Sequence, residues 1–596
     1  MRKTLLASTC LAAMTAVPVH AETTIGTATT TPVRTSTVNA GAADDIRIGK
    51  DGSIKPTGGT AVTIDSNHKV ANEGTIAIGD ADDATGIFAG AGTTGSITNA
   101  ATGKIIIDES YAPTDIDNDG DIDGPFAVGR NRTGIATGGA FTGDIVNSGA
   151  ITIEGNDSAG IRLGGPLTGK FTNDGTVTVL GDNALGVGLQ DVTGNVRLAG
   201  TIAATGQNAT AARLAGDIDG ALVVQGSLTA TGYRTTTPPA DPSKLDADDL
   251  LIGGPALSIE GDVTGGIILA VPPKDGSGTG TDKDNDGIED AKEGSAAVRS
   301  YGSAPAMRIG ATGRDIAIGA VAGTGTGFGL IIDGTVTGNG LYAGIDGLGV
   351  QIGGMGGAVD IAGGMGVAGT VSALSKDSSA TAILIGAGAT VPEVRIAGKV
   401  EAAGGGTATA ISTALRIDSG ADVALVRNSG TISAKASGED GTARAIFDAS
   451  GTVDLIENSG TISATGAAVG SGRNVAIDLS ANGAGATVKQ TEVTAGVAAP
   501  SIVGDVRFGA GSDIFDVADG TVKGNASFGA GDNQLKLSGD AAYTGNASFG
   551  GGNDSVTLAG TSSFRGDVDF GGGADTLSIA GKGLFSGRLS NAQGWR

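Results

Sequence analysis

A five-residue phrase, Asn-x-Gly followed by a small residue and a β-branched residue, recurs along the chain and constrains the fold more than any other feature. Neighbouring copies lie 26 or 30 residues apart in two places. Self-similarity at about 20–50 residues is typical of solenoids, in which each repeat packs only on its neighbours. The spacing therefore predicts a stack of similar coils. The copies begin at Asn72, Asn147, Asn173, Asn428 and Asn458.

Side chains alternate between polar and apolar within each repeat, as in Thr176-Val177-Thr178-Val179. This period of two indicates half-buried β-strands, which would pair in parallel with the coils ~4.8 Å above and below. We assign the Asn-x-Gly phrase to tight turns, where Gly supplies positive φ. The predicted fold class is all-β, a right-handed parallel β-helix (β-solenoid) with acidic corner insertions. At ~24 residues per coil, residues 22–590 would form roughly 20–24 coils.

The composition suits an ordered, thin-cored rod. Disordered chains are usually poorer in apolar residues and more densely charged, whereas 39% of this chain is hydrophobic and its net charge is −25 over 596 residues. Only 3% of the residues are aromatic, so Val, Ile, Leu and Ala must fill the core. The negative charge argues against nucleic-acid binding, which requires a basic surface.

The N-terminus has the parts of a secretory signal peptide: Arg2 and Lys3, an apolar stretch over 4–17, and a small-x-small cleavage site ending at Ala21. A lipoprotein signal at Cys10 is the alternative, but the apolar run before Cys10 is very short. We expect residues 1–21 to be removed and the chain to be exported. No later apolar run reaches the length of a membrane-spanning helix, so no transmembrane segment is expected.

A second repeat begins at residue 504. Phe508, Phe528, Phe549 and Phe570 each begin a Phe-Gly-x-Gly-x-Asp or -Asn phrase, at steps of 20, 21 and 21 residues. We predict one coil per repeat, with the phenylalanines stacked in a ladder. The expected organisation is therefore β-helix coils over 22–503, shorter coils over 504–590, and a tail over 591–596. The glycine-rich turns resemble the calcium-binding nonapeptide repeats of secreted toxins, but the nine-residue period is absent, so a structural turn is preferred.

Three insertions, at 111–126, 233–250 and 271–294, interrupt the repeats, and two of them carry acidic loops. The last reads DKDNDGIEDAKE and matches the calcium-loop pattern D-x-D-x-D-G-x5-E in full. Carboxylate and carbonyl oxygens are the ligands that Ca²⁺ prefers. The predicted calcium ligands are Asp282, Asp284, Asp286, Ile288, Asp290 and Glu293 in this insertion, and Asp115, Asp117, Asp119, Asp121 and Asp123 in the first.

Both calcium loops depart from the paired EF-hand pattern. Glu289 occupies a position that is aliphatic in paired EF-hands, no amphipathic helix flanks the loop, and the first loop has Phe126 where the last carboxylate would stand. The loops are more similar to those of thrombospondin type 3 repeats. The alternative is a solvated acidic insertion without an ion. If calcium binds, we expect it to brace the insertion rather than to take part in catalysis.

A search for catalytic chemistry favours a chain that is not an enzyme. His68, the one histidine after residue 21, lies in a predicted turn, and the sequence has no G-x-S-x-G, H-E-x-x-H or C-x-x-C motif. No catalytic or cofactor-binding residue is predicted apart from the calcium ligands. The enzymatic alternative is a polysaccharide-active β-helix, a lyase or glycoside hydrolase, using carboxylates and outward-facing arginines. Candidate arginines are Arg162, Arg213, Arg308 and Arg416, for which solvated strand positions that oppose aggregation are preferred.

The signal peptide, the Asn-Ser-Gly-Thr-Ile repeats, the Gly/Ala/Thr-rich coils and the acidic insertion before Ser303-Ala304-Pro305-Ala306 together resemble the passenger region of a bacterial (Gram-negative) autotransporter. The resemblance covers roughly residues 22–590. It implies a rod that is displayed on the outer membrane or released from it, with a host-cell, matrix or glycan surface as partner. The family's C-terminal translocator barrel has no counterpart before Arg596, so we expect it in frame downstream or as a separate chain.

The predicted function is therefore a structural or adhesive surface rod braced by calcium. A polysaccharide-active enzyme and a released, calcium-dependent adhesin stay open as alternatives.

Overall fold

The computed structural model describes residues 22–116, 118, 122–274, 280–283 and 288–592. Within them the chain is almost entirely β-structure, with two three-residue 3-10 helices at Pro242–Lys244 and Asp290–Lys292. None of the helices in this part of the chain has the length and apolar character needed to cross a membrane. The predicted signal peptide, residues 1–21, lies outside the described residues.

Three long parallel sheets of 19 strands each run along the part of the chain that the structure describes. Each coil contributes one strand to the first, then the second, then the third sheet, and neighbouring coils pair in register, as Asn99 does with Asn147 and Asn147 with Asn173. The predicted parallel β-helix is thereby confirmed. Nineteen coils at ~4.8 Å each give a rod about 90 Å long. Its right-handedness continues to rest on the general rule for parallel crossovers.

The first sheet consists of Thr23–Ile25, Ile46–Ile48, Val70–Asn72, Ile97–Asn99, Ile145–Asn147, Phe171–Asn173, Val196–Leu198, Leu222–Val224, Ile267–Leu269, Leu330–Ile332, Met365–Val367, Glu393–Ile396, Leu425–Asn428, Leu455–Asn458, Thr487–Gln490, Ile514–Val517, Gln534–Leu537, Ser555–Leu558 and Thr576–Ile579. The second consists of Ala28–Thr29, Ser53–Ile54, Thr75–Gly79, Lys104–Asp108, Ala150–Glu154, Thr176–Leu180, Thr201–Thr205, Ser227–Thr231, Ala297–Tyr301, Thr335–Gly340, Thr370–Ser375, Lys399–Gly404, Thr431–Ala436, Thr461–Thr465, Ser501–Val503, Thr521–Lys523, Ala542–Thr544, Ser563–Arg565 and Leu584–Ser586.

The third sheet consists of Val33–Arg34, Thr60–Ile64, Thr85–Ala89, Thr133–Thr137, Ala159–Leu163, Leu185–Leu189, Thr210–Leu214, Leu257–Ile259, Met307–Ile309, Gly347–Ile352, Ala380–Ile385, Ile411–Ile417, Thr442–Asp448, Asn474–Asp478, Asp505–Arg507, Ala526–Ser527, Ala547–Ser548, Val568–Asp569 and Leu589–Ser590. Two three-stranded sheets lie at the corner between the third and first sheets: Thr93–Thr94, Phe141–Thr142 and Leu167–Thr168, and Ile316–Ile318, Val359–Ile361 and Ala389–Thr390.

The core is one continuous column of inward-facing side chains. In the strand Thr176–Leu180, Val177 and Val179 are fully buried while Thr176 and Thr178 are exposed, as the alternation predicts. Val177 stacks between Ile151 of the coil before and Ile202 of the coil after. Fully burying a Val or Ile side chain contributes about 1.5–3 kcal/mol, so the repeated pattern stabilises every coil against its neighbours. The predicted 20–24 coils exceed the 19 found because the insertions and corner loops take up part of the chain.

The Asn-x-Gly phrase has a different role from the predicted one. Its asparagines face inward and form a buried ladder, in which Asn99 Nδ2 donates to Asn147 Oδ1 and Asn147 Nδ2 donates to Asn173 Oδ1, both at 2.7 Å. The glycine has no positive φ; instead, a Cβ on Gly175 would lie 2.1 Å from the carbonyl oxygen of Gly149 in the coil before. Glycine is therefore required by the close approach of coils and not by a left-handed turn.

Left-handed backbone occurs one corner later, between the second and third sheets. Asp157, Asn183 and Asn208 have φ of 56°, 55° and 58° and occupy equivalent places in successive coils. Asn183 Nδ2 donates to Asp157 Oδ1 at 2.9 Å. Asn and Asp tolerate this conformation better than other side chains, so the corner is built on them.

The aromatic residues of the C-terminal coils stack as predicted. Phe508, Phe528, Phe549 and Phe570 form one ladder with ring centroids 4.8, 4.5 and 5.5 Å apart. A second ladder, which the repeat phrase did not reveal, joins Tyr543, Phe564 and Phe585. A register shift between Val475 and Ile477, in the third sheet, lies where the longer coils meet the shorter ones.

Candidate metal centre

Two of the three insertions leave the rod at the same corner. Residues 109–132 and 232–256 each connect a second-sheet strand to a third-sheet strand, and together we call them the insertion corner. The third insertion leaves at another corner, because residues 270–296 connect a first-sheet strand to a second-sheet strand. Parallel stacking therefore brings together two segments that are about a hundred residues apart in the sequence.

Direct contacts join the two segments of the insertion corner. The backbone N–H of Gly124 donates to Asp248 Oδ2 at 2.7 Å, and Arg234 Nη2 donates to the carbonyl of Gly124. The Arg234 guanidinium also lies 4.7 Å from the ring centre of Phe126, a cation–π distance. The first acidic loop thus rests on the second insertion.

Buried polar contacts fix the first segment to the rod. Arg132 Nη1 lies 2.9 Å from Glu109 Oε2, and both side chains are at most 3% exposed. The N–H groups of Val128 and Gly129 donate to the same carboxylate at 2.7 and 2.8 Å. Removing one partner from such a pair would leave an uncompensated buried charge, so the base of the first insertion is firmly held.

Aromatic contacts hold the second segment. Tyr233 packs edge-on against Tyr342 with ring centroids 4.7 Å apart, and the Tyr342 hydroxyl donates to the carbonyl of Thr235 at 3.1 Å. Burial raises the pKa of Tyr233 to about 12, so its phenol is neutral across the physiological range.

Three carboxylates converge at the insertion corner. One oxygen from each of Asp123, Asp246 and Asp248 lies within 4.8 Å of the others. Asp123 is buried, and its N–H donates to the carbonyl of Thr114 at 3.1 Å. The N–H of Ile116 donates to the Asp123 carboxylate. Asp246 is exposed and Asp248 is half-buried, so the cluster faces solvent on one side.

The carboxylates influence one another electrostatically. A hydrogen bond with Asp248 raises the pKa of Asp246 above its usual value, with desolvation and the nearby charge of Asp249 acting in the same direction. The same hydrogen bond lowers the pKa of Asp248, as do the Gly124 N–H and the Arg234 guanidinium. Close carboxylates behave in this way because like charges resist full ionisation. A divalent cation bound between the carboxylates would remove that conflict.

The cluster offers part of a calcium shell. Calcium takes six to eight oxygen ligands at about 2.3–2.6 Å, and three carboxylates would leave the remaining positions to carbonyls and water. Among the predicted ligands of the first loop, Asp123 belongs to this cluster, and Asp115 is exposed on the same loop. Asp117, Asp119 and Asp121 lie outside the described residues.

The third insertion shows a different arrangement. Lys283 donates through its backbone N–H to Asp290 Oδ1 at 2.8 Å and through its ammonium to Asp290 Oδ2 at 2.9 Å. These bonds lower the pKa of Asp290, and a cation would have to compete with Lys283 for this carboxylate. Of the other predicted ligands, Asp282, Ile288 and Glu293 are described, whereas Asp284 and Asp286 lie outside the described residues.

Within the described part of the chain, the insertion corner alone brings three potential ligand side chains together. Sequence reasoning missed two of them, since Asp246 and Asp248 lie in a segment interpreted only as a polar insertion. The run Asp246-Ala247-Asp248-Asp249 was the available signal. Nothing in the sequence paired that run with Asp123.

A cleft of about 350 Å³ opens at the same corner. Ile122 and Leu245, sequence neighbours of Asp123 and Asp246, give it apolar walls, and Arg234 and Lys244 add positive charge. A cation that joins the two segments would therefore also fix the positions of the residues that line this cleft.

The remaining candidate sites have structural partners. His68 Nδ1 lies 3.0 Å from Asp45 Oδ1, and the Ser66 hydroxyl donates to Thr35 Oγ1 at 2.8 Å. Desolvation opposes ionisation of Asp45, but hydrogen bonds from the Lys69 N–H and from His68 lower its pKa. This histidine therefore acts in a surface hydrogen-bond network.

The predicted arginines occupy one outward-facing register position of the third sheet. Arg213 Nη2 lies 2.7 Å from Glu260 Oε2, Arg308 Nη2 lies 3.4 Å from Glu260 Oε1, and Arg416 Nε lies 2.7 Å from Asp418 Oδ1. Arg162, in the same column, donates to the Asp157 carbonyl at 3.3 Å. The column thus carries local ion pairs and hydrogen bonds along the rod.

Comparisons with protein-family models, with curated proteins and with solved structures found no match for this chain.

Proposed function

We propose that this chain is a structural or adhesive rod of the autotransporter passenger type, exported and displayed on the surface of a Gram-negative cell or released from it. One observation carries the proposal: three parallel 19-strand sheets stack into an uninterrupted column. Because nearly all of its coils stack along one axis, the fold is elongated and is suited to presenting binding surfaces at a distance from the cell. An outer-membrane translocator barrel and a host-cell, matrix or glycan surface are the partners of this proposal.

The outer faces of the rod favour binding over catalysis. The arginines that a polysaccharide-active enzyme would use are largely paired with carboxylates on the same flat face. An anionic substrate would have to break these pairs before it could reach the arginines. Exposed ion pairs contribute little stability, but alternating charge on strand faces opposes sheet-to-sheet aggregation.

We further propose that calcium braces the insertion corner through Asp123, Asp246 and Asp248. The cation would join the first acidic loop to the second insertion and replace the repulsion between their carboxylates with attraction. Extracellular calcium sites of millimolar affinity are common, and an exported chain would meet calcium at that concentration. The cleft beside the cluster makes this corner the preferred contact point for a ligand.

An adhesion assay tests the proposed function. Beads coated with residues 22–592 would be mixed with mammalian cells, with matrix proteins and with a glycan array, in calcium and in chelator. We expect retention on at least one of these surfaces, and no release of sugar products from anionic polysaccharides. Turnover of a polysaccharide would establish the enzymatic alternative. If the beads bind to none of these surfaces, the adhesive role is contradicted.

A matched variant locates the contact. Replacing residues 233–250 with a short turn removes the second insertion but leaves the paired strands in place. If the insertion corner makes the contact, retention falls for this variant and stays unchanged for Asp540→Asn, an exposed substitution in the C-terminal coils.

A further inference from the structure

Four side chains occupy one inward-facing position in the glycine-rich turns of the C-terminal coils. Asp513, Asn533, Asp554 and Asp575 each precede a first-sheet strand, and the strands that follow them pair in register. All four are at most 5% exposed. We call them the turn column. Three acids and one amide therefore share the same buried environment.

One side-chain oxygen is used in the same way at every rung. Oδ1 of Asp513 accepts from the backbone N–H of Ala486 at 2.8 Å, and Oδ1 of Asn533 accepts from that of Asp513 at 3.0 Å. Oδ1 of Asp554 accepts from the N–H of Asn533 at 2.8 Å, and Oδ1 of Asp575 accepts from that of Asp554 at 3.0 Å. The remaining side-chain atom, Nδ2 in Asn533 and Oδ2 in the aspartates, is thus equivalent in all four.

That second atom has a partner only in the amide. Asn533 Nδ2 donates to the carbonyl of Gly531 in its own turn at 2.8 Å and to Asp554 Oδ1 at 3.0 Å. Oδ2 of Asp513, Asp554 and Asp575 is buried and accepts no hydrogen bond. The Asn533 rung shows that this position is suited to a donor, and an ionised carboxylate cannot donate.

We propose that Asp513 and Asp554 each hold a proton in the folded protein in mild acid, with the Oδ2–H group directed into its own glycine turn as Asn533 Nδ2 is. The C-terminal coils are then a proton-stabilised segment, which loosens when these two carboxyl groups ionise. The buried asparagine ladder of the earlier coils contains no carboxyl group and does not share this dependence.

The electrostatic surroundings agree with this assignment. Burial raises the pKa of Asp513 to about 6, against the opposing effect of the Ala486 N–H. Burial also raises the pKa of Asp554, and the charged groups acting on it, Asp575 and Asp532, are both acidic and add to the rise. Two N–H groups of Asn533 act in the opposite direction.

The sign of the pH dependence follows from these shifts. In the unfolded chain an aspartate has a pKa near 3.8, so folding strengthens proton binding. The contribution to stability is complete below about pH 3.8 and is lost as the pH rises toward about 6 and beyond. The C-terminal coils should therefore be tighter in mild acid than at neutral pH.

A proton accounts for the column better than a cation does. A cation running along the column would meet the NH₂ group of Asn533 in place of an oxygen. Among the described residues, no three carboxylates of this column come within ligand distance of one another. Calcium binding in the turn column is therefore the alternative explanation, and the experiment below includes calcium in order to distinguish it.

Hydrogen exchange with mass spectrometry on the full chain tests the proposal. The triple variant Asp513→Asn, Asp554→Asn, Asp575→Asn supplies the missing donors, and Asn533 shows that an amide fits. We expect peptides from 504–592 to exchange at least about tenfold more slowly in the variant than in the parent at pH 7.5, with the difference vanishing near pH 4.5. Comparing both proteins at one pH cancels the intrinsic pH dependence of exchange.

Control variants keep the test decisive. Asp540→Asn makes the same chemical change at an exposed turn and should leave the exchange rates unchanged. Asn533→Asp adds a fourth carboxyl and should speed exchange at pH 7.5 but not near pH 4.5. If the single variant Asp554→Asn and the triple variant exchange as fast as the parent or faster, the proposal is wrong. It is also wrong if millimolar calcium at pH 7.5 slows exchange in the parent but not in the triple variant.

Discussion

The coils before and after residue 504 share three sheets but carry different polar ladders inside them. In the coils before residue 504, the ladder from Asn72 to Asn173 lies at the corner between the first and second sheets, and Asn99 and Asn147 each accept one amide hydrogen bond and donate another. In the coils after residue 504, the turn column lies at the corner between the third and first sheets, and its aspartates only accept hydrogen bonds. A stack of identical turns can repeat an amide without limit, whereas a repeated carboxyl requires a proton or a counter-ion at each rung.

Replacing an asparagine of the buried ladder with aspartate, as in the turn column, should have the largest effect on stability. Asn147→Asp keeps the acceptor for Asn99 Nδ2, but it places a second acceptor opposite Asn173 Oδ1 and introduces a buried charge without a counter-charge. We expect a loss of about 3–5 kcal/mol in the free energy of unfolding at pH 7.5, measured by denaturant titration. Asn67→Asp, an exposed site whose oxygen accepts from the Thr94 N–H, is the control and should change stability little. An equal effect at both sites would contradict the ladder's role.

A smaller loss should follow from a methyl group between coils. In Gly175→Ala the new Cβ would overlap the Gly149 carbonyl oxygen, and the coils would have to separate locally. We expect a cost of about 1–3 kcal/mol or more, visible as a lower melting temperature. Gly26→Ala, where no atom lies within 4 Å of the new Cβ, is the matched control. A destabilisation of Gly26→Ala comparable to that of Gly175→Ala would show that glycine is needed here for backbone freedom instead.

Calcium should have the smallest effect on overall stability, because its site lies outside the core. A site occupied at ten times its dissociation constant stabilises by about 1.4 kcal/mol, so millimolar calcium should raise the melting temperature by a few degrees. Asp246→Asn keeps the acceptor for the Asp248 N–H but removes a ligand charge, and it should abolish the shift.

The third insertion provides the comparison for the calcium measurement. If Asp282→Asn abolishes the shift and Asp246→Asn does not, the ion binds in the third insertion and the assignment to the insertion corner is wrong. An unchanged melt of the parent in chelator and in calcium would remove the bracing role altogether.

The architecture could be predicted from the sequence because the fold of a β-helix depends on short patterns that recur in every coil. Alternation in Thr176–Leu180 fixed which side chains face the core, and the regular spacing of Phe508 and its equivalents fixed one coil per repeat. It failed on the Asn-x-Gly phrase, since asparagine serves equally in a left-handed turn and in a buried ladder. Which of the two applies depends on the direction of the side chain at that corner, and a single repeat does not contain this information.

The candidate metal centre was harder to predict for a related reason. Asp123 was a predicted ligand, but its partners Asp246 and Asp248 come from another insertion that stacking brings to the same corner. Corner insertions break the repeat, so the periodic signal that aligns the coils says nothing about contacts between them. In the sequence, the turn column appears only as an Asp or Asn at a regular place in the repeat, and its unpartnered oxygens become apparent only in the folded structure.

The most direct test of the stacked-coil account is a disulfide between neighbouring coils. Thr152 and Thr178 pair on the outer face of the second sheet, with Ala203 one coil further. Parallel neighbours lie ~4.8 Å apart, within the Cα range for a disulfide, and next-but-one coils lie at about twice that distance. In a chain without residues 1–21, Thr152→Cys with Thr178→Cys should oxidise to an intramolecular disulfide, whereas Thr152→Cys with Ala203→Cys should not. Ready oxidation of the second pair, or none of the first, would contradict the fold.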